Sequence, residues 1–136
     1  MKRREFLIAA GATTLIPFAA QAKGLAYREG LVRERLAAGE TVFLDFKASW
    51  CTTCRAQERV INNIKAESSS YEEAITFIDV DWDEFGRSRL VRELNIPRRS
   101  TLVVLKGEDE LGRIVARTSP ADIQELMDIA LNAATA

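Results

Sequence analysis

Leu44-Asp45-Phe46-Lys47-Ala48-Ser49-Trp50-Cys51-Thr52-Thr53-Cys54-Arg55 is the stretch that decides how this chain is read. It holds both cysteines of the sequence, two residues apart. On its N-terminal side, Thr41 to Ala48 is short and rich in β-formers, which predicts a buried strand. From Cys51 onward, Val60, Ile61 and Ile64 form an apolar stripe, which predicts a helix ending around Glu67 to Ser70. Cys51 is therefore expected between a strand and a helix, at the helix N-terminus. Unpaired N–H groups and the positive end of the dipole stabilise an anion there. A thiolate is the reactive form of cysteine, and such placement can lower its pKa from ~8.5 to ~7 or below. Cys54, one turn further on, is expected on the same face and less exposed, able to attack a mixed disulfide on Cys51.

Other uses of two cysteines fit less well. Structural zinc takes four Cys or His ligands, and this chain offers two thiols and no histidine. A cross-link across so short a loop contributes little in the chain-entropy model. A metal-handling module remains as a rival: two thiolates can hold Cu(I), and two chains can bridge an iron–sulfur cluster with four Cys. A second rival is a binding protein that captures thiol-bearing clients without turnover. The absence of histidine also removes histidine-based dyads, triads and general acids from consideration.

The 136 residues suggest one domain. Net charge of −1, with 47% hydrophobic and 29% charged residues, gives no support for a nucleic-acid partner. The first 22 residues read as an export signal: Lys2, Arg3 and Arg4, an uncharged run from Leu7 to Ala20, then Ala20-Gln21-Ala22 as a cleavage site. The run of 14 residues is short of the ~20 that span a bilayer. Arg3-Arg4-Glu5-Phe6-Leu7 is similar to a twin-arginine signal, and a Sec signal fits as well. The expected mature domain is 23–136, with 16 basic and 19 acidic residues, in an oxidising compartment such as a bacterial periplasm.

Along that domain, Leu25 to Ala38 has near-helical apolar spacing before Gly39. Ala74 to Asp81 predicts a second strand, and Phe85 to Leu94 a helix broken by Pro97. Thr101–Lys106 and Leu111–Arg117 predict a hairpin, and Ser119-Pro120 opens a last helix with Ile123, Leu126, Met127, Ala130 and Leu131 as its core face. The predicted order is α-β-α-β-α-β-β-α, an α/β mixed sheet with helices on both faces.

With those elements in place, Leu44 to Arg55 resembles the active-site segment of the thioredoxin family: strand, Asp, Phe, a short spacer, Trp, C-x-x-C and a basic residue. The resemblance extends over roughly residues 25 to 134 and looks closest to exported thioredoxin-like domains, including those of transmembrane thiol-reductase systems. It implies a thioredoxin-like fold and a thiol–disulfide oxidoreductase with Cys51 as nucleophile and Cys54 as resolving thiol. No cofactor is implied, because the dithiol carries the electrons. The resemblance also implies that Asp45, six residues before Cys51, takes the proton of Cys54. Independently, Asp45 stands amid Val42, Phe43, Leu44 and Phe46, and burial raises a carboxyl pKa toward the range of a general base.

The family match favours Trp50 as a contact surface, while Lys47 stands where many thioredoxins carry a second Trp. The family also places a cis-proline just before the Thr that opens the third strand. Counted in register, that position is Ser100, and Pro97 comes three residues early. Either the loop shifts and Pro97 supplies a cis bond there, or, as preferred, Ser100 stands opposite the dithiol, able to donate a hydrogen bond to sulfur, with Arg98 and Arg99 bringing positive charge near Cys51. The expected client contacts are Trp50, Thr52, Thr53, Arg99, Ser100 and Thr101. The expected clients are disulfides of exported proteins, met by a monomer that draws electrons from a transmembrane donor.

Overall fold

A computed structural model describes residues 24–136. The proposed signal segment, residues 1–22, lies outside the described residues. The elements are β1 (Leu25–Ala26), α1 (Leu31–Ala37), β2 (Thr41–Lys47), α2 (Thr52–Glu67), α3 (Ser70–Ala74), β3 (Ile75–Asp81), α4 (Trp82–Phe85), α5 (Arg89–Glu93), β4 (Thr101–Lys106), β5 (Asp109–Val115) and α6 (Pro120–Thr135).

The strands form one sheet in the order β1-β3-β2-β4-β5. β1, β3 and β2 run parallel, and β4 and β5 are antiparallel. Parallel neighbours need crossovers, and α2 with α3 supplies the one between β2 and β3. Alternation along each strand gives the sheet two apolar faces. Phe43, Leu102, Val104 and Ile114 pack with Ile61 and Ile64 of α2 and with Ile123, Leu126, Met127 and Ala130 of α6. Val42, Leu44, Phe46, Ile78 and Val103 pack on the other face with Leu31 and Val32 of α1 and Val91 of α5. The expected mixed sheet covered on both faces is the one observed, including the parallel β2–β3 pair and the closing hairpin.

Three expectations need correction. Leu25–Ala38 is not one helix. Leu25 and Ala26 pair with Ile78 and Asp79 of β3 as an edge strand, and Gly30 at φ 87° separates them from α1. Phe85–Leu94 is not one helix either. α4 is started by Asp81, whose carboxylate accepts from the Asp83 N–H, and α5 by Ser88, whose hydroxyl accepts from the Val91 N–H. Two capping side chains so close together define two short helices instead of one. The last strand spans Asp109–Val115, because Ala116 adopts φ 59° and ends the ladder with β4 earlier than Arg117. In α6 the expected cap holds, with the Ser119 hydroxyl accepting from the Asp122 N–H and Pro120 in the first turn.

Candidate active site

Cys51 is the N-cap of α2. Its sulfur accepts from the Cys54 N–H at 3.1 Å, and its extended backbone turns the chain out of β2 into the helix. No acidic residue stands in the first turn of α2. The positive end of the helix is therefore left to the sulfur. The two sulfurs are bonded as a disulfide, with Cα atoms 5.2 Å apart. The expected difference in exposure is not observed in this oxidised state: Cys51 is 3% exposed and Cys54 2%. Both sit in a cluster with Ala48, and Trp82 packs over it. The ring of Trp82 at the start of α4 is what the linear spacing could not reveal.

Ser100 faces the pair. Its hydroxyl oxygen lies 3.1 Å from each sulfur. Sulfurs joined to each other carry no proton, so in this state the hydroxyl is the donor. All peptide bonds among the described residues are trans, including the one before Ser100, and Ser100 itself adopts φ 64°. Its N–H donates to the Phe46 carbonyl at 2.7 Å, and its carbonyl accepts from the Ala116 N–H at 2.8 Å. The Ser100–Ala116 hydrogen bond thus follows directly on Thr101 and Val115, the last register pair of β4 with β5.

The remaining expected contacts divide. Trp50 is 53% exposed, its indole N–H donates to Asp83, and the Arg99 guanidinium lies 4.5 Å from its ring centroid. Thr52 is exposed and Thr53 half-buried at the start of α2. Thr101 is buried and its hydroxyl donates to the Arg98 carbonyl at 2.7 Å, so it shapes the loop from inside and offers no surface to a client. Arg98 donates to the Arg99 carbonyl, and its charge is not directed at either sulfur by any hydrogen bond.

Asp45 lies on the same face of β2 as Phe43, beneath α2, paired in register with Asp79 of β3 and Leu102 of β4. It is 5% exposed, and its Oδ1 has no hydrogen-bond partner. Burial, reinforced by Asp79, pushes its pKa up from 3.8 to about 7 against the pull of Lys47. Lys47 is bonded to Glu58 at 3.2 Å and Asp79 at 3.4 Å. Burial opposes its charge, but Asp79, Asp45 and Glu58 together raise its pKa. Lys65 goes the other way, lowered by burial in spite of Glu72, Asp79 and Asp45. A cavity of about 20 Å³ adjoins Asp45, Lys47, Glu58, Lys65 and Asp79, enough for one water. Of this cluster the linear sequence pointed to Asp45 alone.

Gln57 was also missed. It is fully buried in α2, one turn beyond Cys54, and its amide nitrogen donates to the carbonyls of Ser100 and Arg117, each at 3.0 Å. A sign of it existed: Cys54, Gln57, Ile61 and Ile64 form the buried stripe of α2, and Gln57 is its one amide. Among the described residues no group of three or more His, Cys, Asp or Glu side chains is placed to hold a metal ion.

A parallel-and-antiparallel sheet with a cysteine pair capping the helix after its central strand, an inward acid on that strand and a loop against the sulfurs defines a dithiol–disulfide protein. The thioredoxin family profile matches residues 27–129, and the chain belongs to the thioredoxin family. Among named relatives, rice (Oryza sativa subsp. japonica) Thioredoxin H2-1 is 33% identical over 85 residues, covering 62% of this chain and 54% of the relative. Rice Thioredoxin H5 is 33% identical over 87 residues, covering 64% and 59%. The chain thus spans little more than half the length of these relatives. Among solved structures, Trxlp from Edwardsiella tarda superposes with a TM-score of 0.64 at 24% identity, covering 76% of this chain and 98% of that one. Schistosoma mansoni thioredoxin gives 0.61 at 21%, covering 79% and 95%. At these identities the structural likeness speaks for the fold.

Proposed function

We propose that this protein is an exported thiol–disulfide oxidoreductase that reduces disulfides of other exported proteins. The observation that carries the reading is the Cys51–Cys54 disulfide formed at the N-terminus of α2, where the helix stabilises the thiolate that reduction releases. In the reduced enzyme the Cys51 thiolate attacks one sulfur of a client disulfide, and the other client sulfur leaves as a thiolate. Cys54 gives its proton to Asp45 and attacks the Cys51 sulfur. The client's second sulfur leaves, Cys51 and Cys54 are joined, and two electrons have passed to the client. A carboxyl with a pKa of about 7 is matched to such a transfer near neutral pH.

Export is supported by the basic start, the uncharged run and Ala20-Gln21-Ala22. In an oxidising compartment the pair returns to the disulfide unless electrons are supplied, so a thiol-reductase donor in the membrane completes the cycle. Trp50, with Arg99 over it, is the exposed aromatic beside the pair and the natural place for a client segment.

The test is insulin-type disulfide reduction by the wild type and by Cys51→Ser and Cys54→Ser. Turnover is expected only in the wild type, with mixed disulfides accumulating on Cys54→Ser. Wild-type protein that traps clients but never turns over would leave a binding module. Elemental analysis and a visible spectrum of anaerobically purified protein check the Cu(I) or bridged-cluster reading, since stoichiometric metal would replace the enzyme. Cell fractionation with N-terminal sequencing checks export, with Lys23 as the expected mature terminus.

A further inference from the structure

We propose that Gln57 is a positioning residue that sets the redox equilibrium of the dithiol by holding the Ser100 hydroxyl against the sulfurs. This rests on the reading of Cys51 and Cys54 as a working redox pair, though not on which client they serve. A buried amide on an otherwise apolar helix stripe needs partners, because an unpaired buried polar group costs about 1–3 kcal/mol. Gln57 spends its donors on two carbonyls of the facing layer, Ser100 and Arg117, and keeps its own Oε1 buried without a partner. A side chain present only to fill the core would do so better as Leu or Met.

The place it holds is one that the backbone would not hold unaided. Ser100 and the facing Ala116 are both non-glycine residues in the left-handed region, at φ 64° and 59°. Each such residue costs roughly 1–2 kcal/mol. The Ser100 carbonyl accepts from both the Ala116 N–H and the Gln57 amide, which uses both of its lone pairs. The Ser100 N–H is fixed on the Phe46 carbonyl of β2. With both ends of the residue held, its Cβ–Oγ bond points between the sulfurs. Gln57 and Cys54 stand three residues apart on one helix, so the amide ties Ser100 to the same rigid element that carries the resolving sulfur.

The consequence lies in the reduced state. When the disulfide takes up two electrons, a hydroxyl already aimed at the sulfurs donates to the thiolate without a rearrangement. A hydrogen bond to a charged group contributes about 1.5–3 kcal/mol. It stabilises the reduced form over the disulfide, which makes the pair more oxidising. Losing the hydroxyl, or letting the loop turn it away, makes the pair more reducing and raises the Cys51 pKa.

The experiment is a double-mutant cycle on the equilibrium in which the protein disulfide plus two glutathione thiols gives the protein dithiol plus glutathione disulfide. The full set is wild type, Ser100→Ala, Gln57→Met and the double variant, with the Cys51 pKa followed by thiolate absorbance. Ser100→Ala is expected to shift the constant about tenfold toward the protein disulfide, which is about 30 mV for a two-electron couple. Gln57→Met is expected to shift it the same way by several-fold, and by little once Ser100 is already Ala. Equal shifts by Gln57→Met in both backgrounds, or none in the Ser100 background, overturn the proposal. If Gln57→Met does not fold, the uncharged Gln57→Leu takes its place in the same cycle. Failure of the insulin assay alone would remove the proposed clients and leave this coupling intact.

Discussion

Trp82 packs its side chain on the cluster of Ala48, Cys51 and Cys54. Ala48 is fixed by the end of β2 and the cysteines by α2, whereas the indole packed against them is a single side chain on a short helix. An attacking thiolate must approach along the line of the S–S bond, and a sulfur that is almost wholly buried makes that approach slow. Trp82→Ala is therefore expected to raise the rate at which dithiothreitol reduces the disulfide by about threefold to tenfold, equivalent to about 0.7–1.4 kcal/mol of barrier. An unchanged rate, followed as the thiolate absorbance appears, would place the route of attack elsewhere. Trp82 and Gln57 escaped the linear reading for the same reason. Each meets the sulfurs or Ser100 across a tertiary contact of more than 25 positions, and neither has a local pattern that announces it. Cys51 and Cys54 were legible from their spacing at a strand-to-helix junction, and Ser100 only through the resemblance, as the residue in register with the family's proline.

α2 begins at the cysteine and carries no acidic side chain in its first turn. Helix N-termini usually attract Asp or Glu, and their absence leaves the partial positive charge to the sulfur. Thr53→Glu should compete for that charge and repel the thiolate. The Cys51 pKa in the reduced protein is expected to rise by about 0.2–0.7, the equivalent of 0.3–1 kcal/mol for a charge at a helix end. Absorbance of the thiolate against pH checks this, and an unmoved titration would mean that the helix end does not govern the sulfur. The boundaries of α2, β2, β4 and α6 were readable because each has a strong local cause: an apolar run, an apolar stripe, or a capping Ser before Pro. β1 was not, because two residues become a strand only through the edge of β3. The split of α4 from α5 was hidden because Leu90, Val91 and Leu94 keep a helical rhythm that ignores the Ser88 cap.

The whole sheet contributes to the site through Asp45. Val42, Phe43, Leu44 and Phe46 bury the central strand on both faces, and the acid is carried inward with them. The groups that face it come from three elements: Lys47 from β2, Asp79 from β3, and Glu58 and Lys65 from α2. Their charges nearly balance, so desolvation dominates and the carboxyl titrates at about 7 instead of 3.8. The sign for stability follows from proton counting. Between those two values the folded protein holds a proton that the unfolded chain has released, so stability falls as pH rises through that range. The penalty is absent below about pH 3.8 and complete above about pH 7. A displacement of that size corresponds to roughly 4 kcal/mol. Asp45→Asn keeps the shape and removes the titration. In urea unfolding of the oxidised protein it is expected to add little at pH 4.5 and several kcal/mol at pH 8. Lys47→Met should act in the opposite sense by removing the one close cation on the same strand, pushing the carboxyl higher and slowing any step that needs it ionised. A stability gain from Asp45→Asn that is the same at both pH values would mean that the carboxyl is not a buried acid with a raised pKa. The proton transfer assigned to it would then have to pass to another group.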